Sequence, residues 1–392
     1  MEFFFVNVYP SQPVLHRQRA QEAVVNMDRS VEAYCMVVAL CAYVMIQANM
    51  KVQPNLLERP ELAQMSNVSF GHILLEESVR VRRGCDYREN PTHFTVLTSW
   101  LYTGCYFGLA KENTAWSYLR EATTQAQLLG MHDEETYKHD PLDTSRKRVL
   151  YWLLFMAERY HYIKLMRFTT DHESRTYAIH KHRPITLYPT IHPPSLDEVP
   201  SDRPVAIGLE LMINLYKTID DTFVNLWNRV HSHTNPSWIA QLQTQLSEAV
   251  PAYLECTEAQ AVEIRVTQQW LRAVVWQLCV CQGLVSSVAN DNSMTFKFPI
   301  QISRDLLTMT HQFSQPAMEV HGVGLVSATA SFPLYPSIHS IPLHIWTPAR
   351  SDRAIPVACC IGTDPPATSI SDVLVRPCTH LATLFRFELD TL

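Results

Sequence analysis

Between Met212 and Val230 the apolar residues Met212, Leu215, Ile219, Phe223, Leu226 and Val230 recur at steps of three or four. That period lays one apolar stripe along a helix of about five turns, and such a stripe has to be covered by another apolar surface. A second stripe, Trp116, Leu119, Ala122, Ala126 and Leu129, has the same spacing, ends at Gly130 and takes Thr114 as its expected cap. The two stripes commit the chain to helix-on-helix packing. Further helices are expected over 68–83, 91–108, 145–159, 238–250, 258–287 and 300–320, joined by polar or proline-bearing links such as 138–141. The expected fold is therefore all-α, a helical array of antiparallel helices with an irregular C-terminal tail. Ten glycines and 47% hydrophobic residues agree with packed helices better than with a turn-rich sheet protein.

A proline-rich stretch from Pro184 to Pro204 cannot continue a helix and is expected to run extended across the surface. It divides the chain into an N-terminal helical half, 1–183, a connector, 184–204, and a C-terminal helical half, 205–325. Beyond Leu325 there is no lysine, Glu388 is the only glutamate, and Pro, Ser, Thr and Ile crowd in without period, so 326–392 reads as a disordered tail.

The net charge of −6 gives no overall attraction for phosphates, so strong autonomous DNA binding is not expected. The ten cysteines are scattered without a CxxC pair, which leaves no zinc site and reads as core thiols in a reducing compartment. No cofactor is expected in this chain. The start, with Glu2, the short run Phe3–Val6 and then Pro10, lacks the pattern of a secretory signal. From Ala33 to Met50 no residue is charged, close to the length of a membrane span. Gln47 and Asn49 interrupt it and Ser30 can cap it, so a buried core helix is the expected reading and no membrane partner is inferred.

Three constellations could carry chemistry. Asp220-Asp221 on a helix has the look of the aspartate-rich magnesium motif of all-helical terpene synthases, but Val224 stands where a third aspartate belongs. Histidines pair at His180 and His182 and at His231 and His233, and sit beside aspartates at His132 and His139, without ligand spacing for a metal. The groups Arg80, Arg82, Arg83 and Arg146, Lys147, Arg148 lie near Glu76, Glu77, Asp140 and Asp143, and read as salt-bridged helix surface rather than phosphate contacts. No catalytic residue is named from the sequence. Ala115–Ala122 also looks like half a tetratricopeptide hairpin, a scaffold reading, but no 34-residue period recurs.

Three further segments occur in order: Ala115–His132, which reads W-x-Y-L-R-x-A through Leu129-Gly130; Ser145–Arg159, a basic-start helix closing on Glu-Arg; and His180-Lys-His-Arg-Pro184. Together they resemble the fungal-specific transcription factor domain, the middle homology region of zinc-cluster regulators. The flavour is similar to regulators of maltose and sucrose use and of metabolite gene clusters. The resemblance spans about residues 5–325 and implies a helical regulatory domain in a nuclear protein, which controls genes read by RNA polymerase II and is not an enzyme. It singles out Trp116, Tyr118, Leu119, Arg120, Leu129, Gly130, Arg148, Trp152, Phe155, Arg159, His182, Arg183 and Pro184 as signature core and regulatory positions. Of these, Arg120, Arg159, His182 and Arg183 are expected as polar partners at a central crossing, and Trp227 joins the aromatics that organise the core.

The implied partners are the transcription machinery or a related regulator subunit, and a small-molecule inducer bound between the helical halves. DNA would be reached only through a six-cysteine zinc segment, which these residues do not contain, or through a partner; a DNA-blind scaffold or truncated regulator is the alternative. In the family pattern Arg159 should lead almost directly to Thr176, so 160–175 is expected either as an unspliced intron in the reading frame or as a true helix extension with a surface loop. Val326-Ser327 has codons compatible with a similar intron start.

Overall fold

The computed structural model describes residues 1–48, 50, 65–138, 141–167, 184–195, 202–228, 236–289 and 291–319. Among these the chain is all-α, with no strand. The first half runs α1 (Glu2–Asn7), α2 (Arg17–Asn26), α3 (Val31–Ile46), α4 (Asn67–Arg82), α5 (His93–Gly108), α6 (Glu112–Leu128), a 3-10 turn over Glu134–Tyr137 and the long α7 (Pro141–Arg167). The second half runs α8 (Arg203–Lys217), α9 (Asp221–Trp227), α10 (Pro236–Glu248), α11 (Glu258–Cys281), α12 (Phe298–Thr310) and α13 (Gln315–Glu319).

The uncharged run after Ser30 becomes α3, and Ser30 Oγ caps it by accepting the Ala33 N–H at 3.2 Å. A helix that is apolar all round has to be buried all round. α2, α4 and α5 pack about it, and Met36, Val38, Ala39 and Ala42 have no exposed surface. Among the described residues no single helix is long and apolar enough to cross a membrane. The first-half core extends through α5 to α6, whose Leu119, Ala122 and Ala126 are fully buried, with Tyr118 stacked on Tyr106 of α5. α6 begins at Glu112, one turn earlier than its expected start. Lys111 is then the flanking residue, and Thr114 lies inside the first turn instead of capping it. Gly130 closes the helix as expected, at a φ of 65° that costs a side-chain-bearing residue about 1–2 kcal/mol.

The second half is organised on α11, against which α8, α10 and α12 pack. Thr257 and Gln260 start α11 with a reciprocal capping box, and it stops at Cys281, short of 287, because Gly283 turns the chain at a φ of 70°. The apolar stripe at 212–230 is not one helix. α8 ends at Lys217, and Asp220 takes an extended conformation and accepts the Phe223 N–H at 2.8 Å, starting α9. An aspartate competes with the backbone for that N–H, so the helix restarts there. Met212, Leu215, Ile219, Phe223 and Leu226 are nevertheless all buried, so the burial pattern survives the break; Val230 lies outside the described residues. The helix expected over 300–320 likewise divides into α12 and α13.

The proline-rich connector ends sooner than 204, because Arg203 and Pro204 open α8, where the missing proline N–H costs nothing. Residues 184–195 form neither helix nor strand and bend at Pro189 and Ile191, with Leu187 and Ile191 buried. Of the segment 160–175, Tyr160–Arg167 continues α7, with Tyr162 and Ile163 buried. Residues 168–175 and the tail 326–392 lie outside the described residues.

Candidate functional site

On α7 the residues Arg148, Tyr151, Trp152, Phe155, Glu158 and Arg159 follow at steps of one, three or four and so share one side of the helix. On α6 Arg120 and Gln127 stand two turns apart on the side that meets it. Both faces close on residues 184–195, a strap without helix or strand. Glu158 has no exposed surface, and its carboxylate accepts four donors. Oε1 takes Arg120 Nη1 at 2.5 Å and the Thr186 hydroxyl at 2.7 Å, while Oε2 takes the backbone N–H groups of Thr186 at 2.9 Å and Leu187 at 2.8 Å. A buried carboxylate is stable only when its lone pairs are filled in this way.

Arg159 repeats the device with opposite charge. Its guanidinium lies over the Phe155 ring, 3.4 Å from the centroid, and donates to the carbonyls of Phe155, Leu187 and Ile219 at 3.0–3.2 Å. Burial pulls its pKa down to about 10, so it remains charged at neutral pH. Arg159 thereby ties α7, the strap and the turn between α8 and α9 together. Farther along the strap the Tyr151 hydroxyl donates to Tyr188 O at 2.7 Å, Trp152 Nε1 to His192 O at 2.9 Å and Gln127 to Thr186 O at 3.2 Å. Arg148 pairs with Glu134 at 2.7 Å, and Glu134 also accepts the His192 N–H at 3.1 Å. The Arg148 hydrogen bond, helped by His192, holds the Glu134 carboxyl at a pKa of about 2.

The signature residues of α6 and α7 thus converge on one clamp. Trp152 and Phe155 form its buried edge-to-face pair, 5.0 Å apart, and Trp116 lies 5.7 Å from the Arg120 guanidinium. Tyr118 and Leu119 lie instead in the core towards α5, while Leu129 and Gly130 terminate α6. Pro184 opens the strap and is exposed; His182 and Arg183 lie outside the described residues. Glu158, Thr186, Tyr151 and Glu134 were not among the singled-out positions. The one available signal was a glutamate directly after the otherwise apolar run 149–157, which a buried helix face tolerates only with partners waiting.

The basic groups are only partly surface. Arg80 pairs with Glu77 at 2.8 Å on an exposed face, as expected. Arg82 is buried, 3.2 Å from Glu121, and donates to Thr95 O and the Ser99 hydroxyl. Arg146 is buried 3.5 Å from Asp202, whose carboxylate also accepts the Tyr9 hydroxyl at 2.5 Å, joining the N-terminus, α7 and the start of α8. These arginines sit inside the array because α5, α6 and α8 bring acceptors to them. Asp220 caps α9 through one carboxylate oxygen. Among the described residues no group of three His, Cys, Asp or Glu side chains could hold a metal ion. Burial pushes the thiols of Cys35 and Cys279 up to about 12. His132 offers only its carbonyl, to Thr190 at 2.6 Å; the histidine pairs 180/182 and 231/233, and His139, lie outside the described residues.

A cavity of about 250 Å³ lies where the two halves meet, lined from α1, α3, α5 and α7 on one side and α8 and α11 on the other. Trp100, Phe107, Tyr160, Tyr216 and Trp270 supply ring surface. Gln12 and the Tyr43 hydroxyl exchange hydrogen bonds at 2.9–3.0 Å, and Gln47 donates to Gly104 O at 2.5 Å. Of the lining residues, Trp100 and Trp270 have indole N–H groups, and Ser11 a hydroxyl, with no accessible surface and no acceptor among the described residues. Each such orphan donor costs about 1–3 kcal/mol. A wider surface cleft of about 650 Å³ between α2, α5 and α7 includes Arg19, which pairs with Asp143 and Glu22, and Glu32, Lys147 and His93.

Residues 1–177 match the family described as the fungal specific transcription factor domain. The chain is similar to the probable sucrose utilization protein SUC1 of Candida albicans, 26% identical over 257 residues that make up 64% of this chain and 47% of that protein. It is similar to two proteins of Saccharomyces cerevisiae at 23% identity. These are the respiratory transcription factor ZNF1, over 59% of this chain and 47% of that protein, and the maltose fermentation regulatory protein MAL13, over 61% and 47%. The chain spans about half the length of the curated relatives it matches. No solved structure matches.

Proposed function

We propose, from the premise that residues 1–177 are a fungal specific transcription factor domain, that this chain is the regulatory part of a nuclear regulator of RNA polymerase II genes. The similarity to regulators named for sucrose, maltose and respiration supports carbohydrate-utilisation genes as its targets, with a metabolite gene cluster as the other reading the sequence motifs allow. The observation that carries the proposal is that Arg120, Arg148, Trp152 and Arg159 of the matched domain spend their polar groups on holding one strap against two helices. Such an arrangement fixes a surface and performs no bond-making step. The chain then acts by contact, with the transcription machinery or with a related regulator subunit. DNA would be reached through a six-cysteine zinc segment or through that partner.

The test is a fusion of the 392-residue chain to a heterologous DNA-binding module in a fungal host, read by reporter transcript and by the location of a fluorescent tag. The expected result is a nuclear protein that changes reporter transcript several-fold and loses that effect when the clamp is broken by Glu158→Gln. A fusion that reaches the nucleus intact and leaves the transcript unchanged with and without sucrose or maltose would overturn the reading.

A further inference from the structure

The strap 184–195 has no helical or sheet ladder of its own. Thr190 N–H bonds to Tyr188 O within it, while Thr186, Leu187, Tyr188 and His192 place backbone groups on side chains. Leu187 is gripped from both sides by neighbours on α7. Glu158 accepts its N–H at 2.8 Å, and Arg159 donates to its carbonyl at 3.1 Å. The same Arg159 donates to Ile219 O at 3.0 Å, in the turn between α8 and α9. A second bridge runs beside the first. Trp152 donates Nε1 to His192 O at 2.9 Å, and its ring carries Lys217, the last residue of α8, 4.9 Å from the centroid. Strap and turn therefore hang from the same two side chains of α7, although they belong to different halves of the chain.

The turn depends on that support. α9 has only seven residues, too few to persist on its own hydrogen bonds, and its start rests on the Asp220 cap and the Ile219 anchor. Its far end is held separately, by Gln282 donating to Leu226 O at 2.8 Å, which confines an opening to the first turn. When the strap lifts, Arg159 loses Leu187 O and water reaches its guanidinium, where it competes with Ile219 O for the same donors. When the turn opens first, the same competition weakens the bond to Leu187 O. We propose that the strap and the α8–α9 turn form one switching unit, which opens and closes as a whole through Arg159 and Trp152. A partner that binds the exposed strap residues Tyr188, Pro189 and His192 is then felt at the start of α9. That use in regulation rests on the transcriptional reading above; the coupled opening does not.

Hydrogen exchange read by mass spectrometry on the 392-residue chain tests the coupling. In the parent chain the best-protected amides of 184–192 and 216–223 should share one protection factor, at least about tenfold below that of α4, because they open as one unit before the whole fold does. Two mild variants then perturb one side each. Tyr151→Phe removes the hydroxyl that donates to Tyr188 O at 2.7 Å and so weakens the strap, whereas Asp220→Ala removes the cap of α9 and so weakens the turn. Each should lower the protection of its own segment roughly fivefold and that of the other segment by the same factor, since coupling between two sites is reciprocal. Circular dichroism shows which variant retains the fold, and either one suffices. A far segment that keeps its protection while the near one loses it would mean that strap and turn are independent, and would overturn the proposal. Parent segments protected as strongly as α4 would overturn it too, because they would then open only with the whole chain. Reciprocal losses beside a silent reporter fusion would support the coupling and sink the transcriptional reading alone.

Discussion

Glu158→Gln preserves the shape of the clamp's central side chain and changes only its hydrogen bonding. The carboxylate receives four donors, two on each oxygen. A glutamine offers one oxygen and one NH2, so whichever way it flips, one pair of donors faces another donor. If Oε2 keeps its acceptor role, the strap N–H groups of Thr186 and Leu187 stay paired and Arg120 loses its buried countercharge. In the other orientation those two N–H groups are orphaned at a site where Glu158 itself has no exposed surface. At about 1–3 kcal/mol for each unsatisfied donor, and about 3–5 kcal/mol for breaking a buried ion pair, the expected loss is about 3–5 kcal/mol. Against a typical total of about 5–15 kcal/mol, that is a large fraction. Urea unfolding followed by circular dichroism measures the loss. Limited proteolysis should show new cleavage within 184–195 before the rest of the array is cut. A cost below about 1 kcal/mol, with the strap equally protected, would refute the argument that this carboxylate holds the strap.

Three further outcomes follow from the same geometry. Gly130→Ala should destabilise the chain by about 1–2 kcal/mol in the same unfolding assay, because residue 130 sits at a φ of 65°; no change would mean the turn relaxes. Asp220→Ala should cost about 1 kcal/mol through loss of the α9 cap and leave any magnesium-dependent diphosphate binding as absent as before, whereas a metal-dependent signal that the substitution abolishes would restore the enzyme reading. His93 is half-buried with Nε2 out of solvent and unpaired among the described residues, and burial pulls its pKa down to about 4. The unfolded chain therefore takes up the proton first, and stability falls as pH drops from about 6.5 towards 4. His93→Asn should flatten that slope by about 1–2 kcal/mol relative to the parent chain, less than the full shift implies because part of the ring meets solvent.

Much of the architecture was legible because its signals are local. Helix period, Ser30 as a cap and Gly130 as a stop each depend on a few neighbouring residues, and the structure uses all three. The errors have local causes too. Thr114 precedes the stripe, but Glu112 already belongs to the helix, and Asp220 breaks a stripe whose period carries no sign of the break. The fold class needed only the spacing of apolar residues, which is a property of the chain read along its length.

The clamp was half legible. The sequence placed Arg120, Trp152 and Arg159 at signature positions but gave no means of knowing that they meet Thr186, His192, Leu187 and Ile219, 28 to 66 positions away along the chain. It read Arg82 and Arg146 as surface charge, because a charged residue is surface by default until a distant acceptor is brought to it, as Glu121 and Asp202 are. The walls of the cavity were not legible, since they come from six helices that only packing brings together. The sequence by itself determined where helices form and which faces are apolar, because those follow from neighbours a turn apart. Only the tertiary structure decided which charges are buried, which strap they hold and what empty space is left between the halves, because those are set by which distant residues the packed helices bring within hydrogen-bond distance.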